Sequence, residues 1–225
     1  MGVFYFPANF VYWRKVPDHK IFKEKILKHL NENINDYRSH GLINNGITTH
    51  NNLKSEFFLR NYDEFIKSVV WDTLDEFLEH EELRENTPKM HIIASKIHQC
   101  WCSVYDKNGS ISLHNHTFSG REIRYDENNN KWLQTFTLLY IINDENEKNQ
   151  TEFIQPSLAG VSSHLYSQTT FKTYNYKDIG EGTVLIFPSS LNHHVKDISS
   201  GGRVIFSCDI ASCYDTRMIC LDDNN

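Results

Sequence analysis

From Met90 onward the apolar residues stop recurring at helical spacing and fall into short β-branched and aromatic runs divided by turn residues. Before that switch, two segments repeat their apolar residues every three or four positions, the period of one helix face. The first runs from Asp18 to about Tyr37 and carries Ile21, Phe22, Ile26, Leu27, Leu30 and Ile34, with Asp18 placed to cap it. The second runs from about Asn61 to Leu83 and carries Phe65, Ile66, Val69, Val70, Leu74 and Phe77. Between them, residues 39–60 are rich in Asn, Gly, His and Thr and read as a long loop. Residues 1–17, aromatic and holding Pro7 and Pro17, read as an extended lead-in or edge strand.

After the switch the runs are His91–Tyr105, Leu133–Asn143, Thr151–Ile154, Phe171–Tyr176, Thr183–Phe187 and Arg203–Ile210. Asp106-Lys-Asn-Gly109 and Gly180-Glu-Gly182 have turn chemistry, and Pro188 stops a strand. Helices first and many short strands after predict a mainly β fold with bracing helices, a sandwich or jelly roll. The expected organisation is one domain over 1–225. Residues 1–89 brace it, 90–212 form the jelly-roll core, and 213–225 are a tail.

With 39% apolar and 13% aromatic residues the chain can bury a sizeable core. Its net charge of −6 gives no support for non-specific binding to nucleic acid or a membrane surface. No apolar run approaches the length of a membrane span, and the first residues lack the segments of a secretory signal. The five cysteines are odd in number and include no C-x-x-C pair, so free thiols in a reducing compartment, the cytoplasm, are expected.

Chemistry concentrates in four residues. His114 and His116 are two apart, and in extended backbone such a pair points one way. Imidazole suits iron, copper, nickel and zinc. His193 and His194 follow the strand that Pro188 ends, and only one of two neighbours can face such a site. The His193-x-Val195 pattern favours His193. Arg203 opens the next strand, ten residues beyond His193. Three facial ligands leave metal positions open, and a guanidinium can clamp a carboxylate through two parallel bonds. A 2-oxo acid needs both, a metal for its keto-acid end and a cation for its distal carboxylate.

Over about residues 90–210 the sequence resembles the iron(II)- and 2-oxoglutarate-dependent dioxygenases, and within them the prolyl-hydroxylase-like members and oxygenases of phages and marine microbes. Four stretches carry the resemblance: Trp101…Tyr105…Gly109…His114-Asn-His116; Thr137-Leu-Leu-Tyr140-Ile-Ile-Asn143-Asp144; Thr151-Glu-Phe153; and Gly182-Thr-Val-Leu-Ile-Phe-Pro188…His193-His-Val195…Arg203. The resemblance implies a cupin-like double-stranded β-helix with Fe(II) held by His114, His116 and His193. It implies 2-oxoglutarate as cosubstrate, held by Arg203 with Tyr140 assisting, and O2 as reactant, with succinate and CO2 as products. The oxidised substrate, a small molecule or a peptidyl side chain, is unassigned.

Two positions depart from the family pattern. His116 stands where the family has a carboxylate, and Ile205 stands where many relatives have a hydroxyl two residues past the arginine. Two other readings therefore stay open: a cupin-like three-histidine metal enzyme that does not use 2-oxoglutarate, and a non-enzymatic jelly-roll binding protein. Substrate choice is expected in the loops 39–60, 119–132 and 157–170.

Overall fold

The computed structural model describes residues 2–6, 9–37, 43–80, 92–116, 124–125, 131–144, 151–154, 170–196, 198 and 201–214. Two strands come first, β1 (Gly2–Phe6) and β2 (Asn9–Lys15). Helix α1 (His19–Glu32) ends in a short 3-10 turn, Ile34–Asp36. Strand β3 (Ile43–Thr48) and helix α2 (Leu53–Arg60) follow. Next, α3 (Asp63–Ile66), a π-helical turn (Lys67–Trp71) and α4 (Asp72–Glu79) form one unbroken helical run. The remaining strands are β4 (Ile92–His114), β5 (Arg124–Tyr125), β6 (Lys131–Asn143), β7 (Thr151–Ile154), β8 (Thr170–Lys172), β9 (Thr183–Pro188), β10 (Asn192–Val195) and β11 (Arg203–Tyr214).

Among the described residues, all eleven strands join one antiparallel sheet in the order β1-β2-β9-β6-β11-β4-β10-β7-β8, with β3 also on β4 and β5 on β6. Alternation along each strand sorts the side chains into two cores. On β6, Phe136, Leu138, Tyr140 and Ile142 join one cluster with the helices. Leu139 and Ile141 face the other way, into a cluster shared with Trp13, Phe153, Phe187 and Ile205. The second cluster is the inside of the curled sheet, and the helix-braced jelly roll expected from the sequence is the fold the chain adopts. Phe65, Val69, Val70, Leu74 and Phe77 clip the helical run to the outer face, each 3% exposed or less. Burying each contributes about 1.5–3 kcal/mol. Phe65 meets Phe206 edge to face at 4.9 Å between ring centres.

Several local expectations are corrected. Residues 39–60 are not one loop: they hold β3 and α2. The helical pattern of α2 is weak in sequence because Leu53 and Phe57 stay exposed. Its start is fixed by the Asn52 side chain, which accepts from the Ser55 amide at 3.0 Å. Asp18 makes no side-chain cap and sits in left-handed backbone with φ 56°. Only its carbonyl accepts from the first turn, from the amides of Ile21 and Phe22.

Asp106-Lys-Asn-Gly109 does not reverse the chain. It lies inside the 23-residue strand β4 as an irregularity, with Asn108 at φ 62°. A Cβ on Gly109 would come within 2.7 Å of the Asn45 carbonyl oxygen, so glycine lets β3 pass closely here. Among the described residues no helix is long and apolar enough to cross a membrane. Cys100, Cys102, Cys208 and Cys213 are buried free thiols. The tail beyond 214, Cys220 and most of the stretches 119–132 and 157–170 lie outside the described residues.

Candidate metal centre

The register of two strands builds most of the site. His114, the last residue of β4, lies directly opposite His193 of β10. His116 lies two residues past the end of β4, and its amide donates to the Ser189 carbonyl at 2.9 Å in the turn between β9 and β10. The three rings converge, with centres 4.4 Å apart for His114 and His193, 5.1 Å for His116 and His193, and 5.2 Å for His114 and His116. One ring nitrogen of each lies within 4.8 Å of those of the other two. Bonds of about 2.0–2.1 Å to an ion would draw such nitrogens about 3 Å from each other, a closure within the reach of small side-chain rotations.

Each ring is held by the nitrogen that faces away from the cluster. His114 Nδ1 lies 2.7 Å from the Ser112 carbonyl oxygen, and His193 Nδ1 lies 3.1 Å from that of Leu191. His116 Nδ1 lies 2.9 Å from Asp209 Oδ1. Carbonyl and carboxylate oxygens only accept, so each Nδ1 carries the proton and donates. In the neutral ring, Nε2 is then the lone-pair nitrogen, the atom a metal takes. His116 Nε2 is buried and has no hydrogen-bond partner. Burial, and after it the neighbouring rings of His114 and His116, push His193 well below the usual histidine value, which keeps it in the neutral, ligating form. Phe153 and Phe187 pack on the His193 ring and account for that burial. Trp101 lies nearly parallel to the His116 ring. This donor set fits a divalent transition ion.

His194, the neighbour of His193, turns to the other face, where its Nε2 meets Glu152 Oε2 at 3.0 Å. Arg203 is fully buried at the start of β11, opposite Tyr105 of β4. Its Nη2 donates to the Thr151 hydroxyl at 3.0 Å, and its Nε lies 3.6 Å from Asp144 Oδ2. Burial lowers the guanidinium from its ordinary value, and the facing Asp144 works against that shift.

Tyr140 does not join this group. Its parity on β6 matches Phe136 and Leu138, so the ring lies on the helix side and its hydroxyl is 2.6 Å from His19 Nδ1. Ile141 takes the inward position, opposite Ile205. Tyr140, expected to assist Arg203 in holding a carboxylate, thus lies on the face of the sheet opposite that arginine. Asp209, Gln99 and Thr137 were missed in the sequence, although Arg203, Ile205, Ser207 and Asp209 recur at the spacing that puts them on one face of β11. An acid at even spacing from Arg203 in an otherwise apolar strand was the available signal.

No family model and no curated protein matches the sequence. Solved structures do match in fold. One is the non-haem α-ketoglutarate-dependent carbocyclase SnoK of nogalamycin biosynthesis, at 10% identity and a TM-score of 0.52, over 90% of this chain and 80% of that one. Another is the viral collagen prolyl hydroxylase of Paramecium bursaria Chlorella virus-1, solved with 2OG, at 17% identity and 0.49, over 89% and 96%. A third is the Trichoplax adhaerens prolyl hydroxylase, solved with a hypoxia-inducible-factor peptide, at 12% identity and 0.49, over 94% and 86%. At 10% identity the likeness to SnoK is one of architecture alone: this chain has a jelly-roll fold like that of the α-ketoglutarate-dependent carbocyclase.

Proposed function

We propose that the chain is a non-haem iron dioxygenase that couples oxidative decarboxylation of 2-oxoglutarate to hydroxylation of a substrate not yet identified. The observation that carries this reading is the triad of His114, His116 and His193, each ring donating from Nδ1 to an outer acceptor. When bound, iron(II) and 2-oxoglutarate supply the oxidising chemistry: O2 gives one oxygen atom to succinate and the other to a C–H bond, with release of CO2. The protein's part is to bind, orient and exclude water.

His114, His116 and His193 would hold the ion by Nε2. Arg203 would hold the distal carboxylate, with Thr151 and Asp144 fixing the plane of its guanidinium. Tyr105 lies opposite Arg203 on β4 and belongs to the inner cluster. The aromatic packing of Phe153 and Phe187 around His193 keeps water from one side of the centre.

The test is an anaerobic titration of the protein with Fe(II) and 2-oxoglutarate. Joint binding with a metal-to-ligand charge-transfer band, followed by succinate formation on admitting O2, is the expected result. Folded protein that binds neither would overturn the proposal. A second reading, a three-histidine metal enzyme without 2-oxoglutarate, is favoured by the absence of a carboxylate from the triad and by the Asp144 carboxylate beside Arg203. Metal-dependent O2 uptake without succinate would select it.

A further inference from the structure

The three histidines of the triad are not equivalent. His114 and His193 donate to backbone carbonyls, whereas His116 donates to the carboxylate of Asp209. Asp209 lies on β11, with Gln99 of β4 directly opposite on one side and Thr137 of β6 on the other. It is fully buried. Its Oδ2 accepts from Gln99 Nε2 at 2.9 Å, and its Oδ1 accepts from Thr137 Oγ1 at 2.9 Å as well as from His116. Thr137 gives its proton to Asp209, so the Ser189 hydroxyl, 3.1 Å away, donates to Thr137 in turn. Both carboxylate oxygens act only as acceptors, the role of the ionised form. Among the described residues no lysine or arginine pairs with Asp209. A buried carboxylate held only by neutral donors and one imidazole keeps a strong need for a nearby positive charge.

A divalent ion held by three neutral imidazoles carries one unit of positive charge more than the same ion held by two imidazoles and a carboxylate. Asp209 supplies the missing negative unit one ring further out. We propose that Asp209 is the anion of this metal centre: a positioning residue that acts through His116, fixing the ring with Nε2 toward the ion and making that nitrogen the strongest donor of the three. The proposal rests on the triad being a metal site, and it holds whether or not 2-oxoglutarate is the cosubstrate. Gln99 and Thr137 serve it by locking the carboxylate to β4 and β6, and Ser189 by holding Thr137 from the turn after β9.

Cobalt(II) titration without cosubstrate tests this, read by the visible ligand-field bands, on wild type, Asp209→Asn, Asp209→Glu and the double variant His116→Asp/Asp209→Asn. Asp209→Asn should bind cobalt ten- to a hundredfold more weakly with shifted bands. Asp209→Glu should recover part of the loss. The double variant, which moves the carboxylate into direct ligation, should bind more tightly than Asp209→Asn alone. Wild-type affinity and an unchanged spectrum in folded Asp209→Asn would overturn the proposal. So would a wild type that binds no cobalt, which also removes the dioxygenase reading. Cobalt binding with the Asp209 effect, but no 2-oxoglutarate binding, sinks the dioxygenase reading alone. Should Asp209→Asn fail to fold, proton spectra of the wild-type cobalt protein decide. An exchangeable, paramagnetically shifted ring N–H that disappears in His116→Asp supports the proposal, and its absence overturns it.

Discussion

Arg203 has no exposed surface, and a guanidinium so placed is tolerated only beside an anion. Asp144 is that anion, itself 2% exposed in its side chain. Two substitutions at Arg203 separate its structural role from the cosubstrate-binding role proposed for it. Arg203→Lys keeps a charge and loses the planar fork, so it should weaken 2-oxoglutarate binding at least tenfold while leaving the fold intact, read by titration calorimetry. Arg203→Ala should also cost about 3–5 kcal/mol in denaturant unfolding, because it removes the guanidinium that faces a buried carboxylate, and adding Asp144→Asn should recover much of that loss. An Arg203→Lys protein with unchanged affinity would remove the arginine from the cosubstrate site. At this scale alternation made the preference for His193 over His194 legible, because neighbours on a strand diverge. For Asp209 the even spacing from Arg203 made only the face legible, since its role comes from three partners on other elements. Tyr140 stands one position from the inward-facing Ile141, which on a strand means the opposite face.

Among the elements, the turn before β9 ties a helix to the sheet. Glu181 Oε1 accepts from Lys23 at 2.7 Å and faces His19 Nε2 at 3.1 Å, while Oε2 accepts from the Asp144 amide at 3.1 Å. Burial alone would raise this carboxyl, but the bonds from Lys23, Asp144 and His19 outweigh it and hold it below the ordinary glutamate value. A depressed carboxyl stabilises the fold above its unfolded value, and that contribution is lost as pH falls through the lower, folded one. Glu181→Gln should therefore cost about 1 kcal/mol near neutrality. Compared by urea midpoints, mutant and wild type should converge as pH falls through that lowered, folded-state value. A difference that persists unchanged at pH 3 would show that the charge of Glu181 contributes nothing. Most strands of the second half were legible because β-branched runs and turn residues alternate there, but the expected strand Phe171–Tyr176 is β8 followed by a 3-10 turn, Thr173–Asn175. Strand β3 and helix α2 were not: one is mostly polar, and the other leaves Leu53 and Phe57 outside the core.

For the whole molecule, two kinds of stabilisation are separable. The packing of helices on sheet is independent of any ion, and Phe65, which contacts Phe22, Tyr62, Tyr140 and Phe206, sits at its centre. Phe65→Ala should cost about 3–5 kcal/mol in metal-free protein. The proposed centre adds to this by linkage: an ion at a hundredfold excess over its Kd should stabilise the native state by about 2.7 kcal/mol, and a chelator should reverse the gain. In His193→Ala the metal-dependent rise in Tm should vanish while the metal-free Tm stays near its own baseline.

Strand β4 joins these two layers unevenly. Ser103, Val104 and Tyr105 are bridged on both edges, to β11 and to β3, whereas His114 at the far end pairs with β10. Amide hydrogen exchange should grade accordingly, slowest at 103–105 by global opening and faster toward 114 by local opening. On that grading the tip that carries His114 opens locally while the middle of the strand holds, and an ion at the proposed centre would exchange without global unfolding.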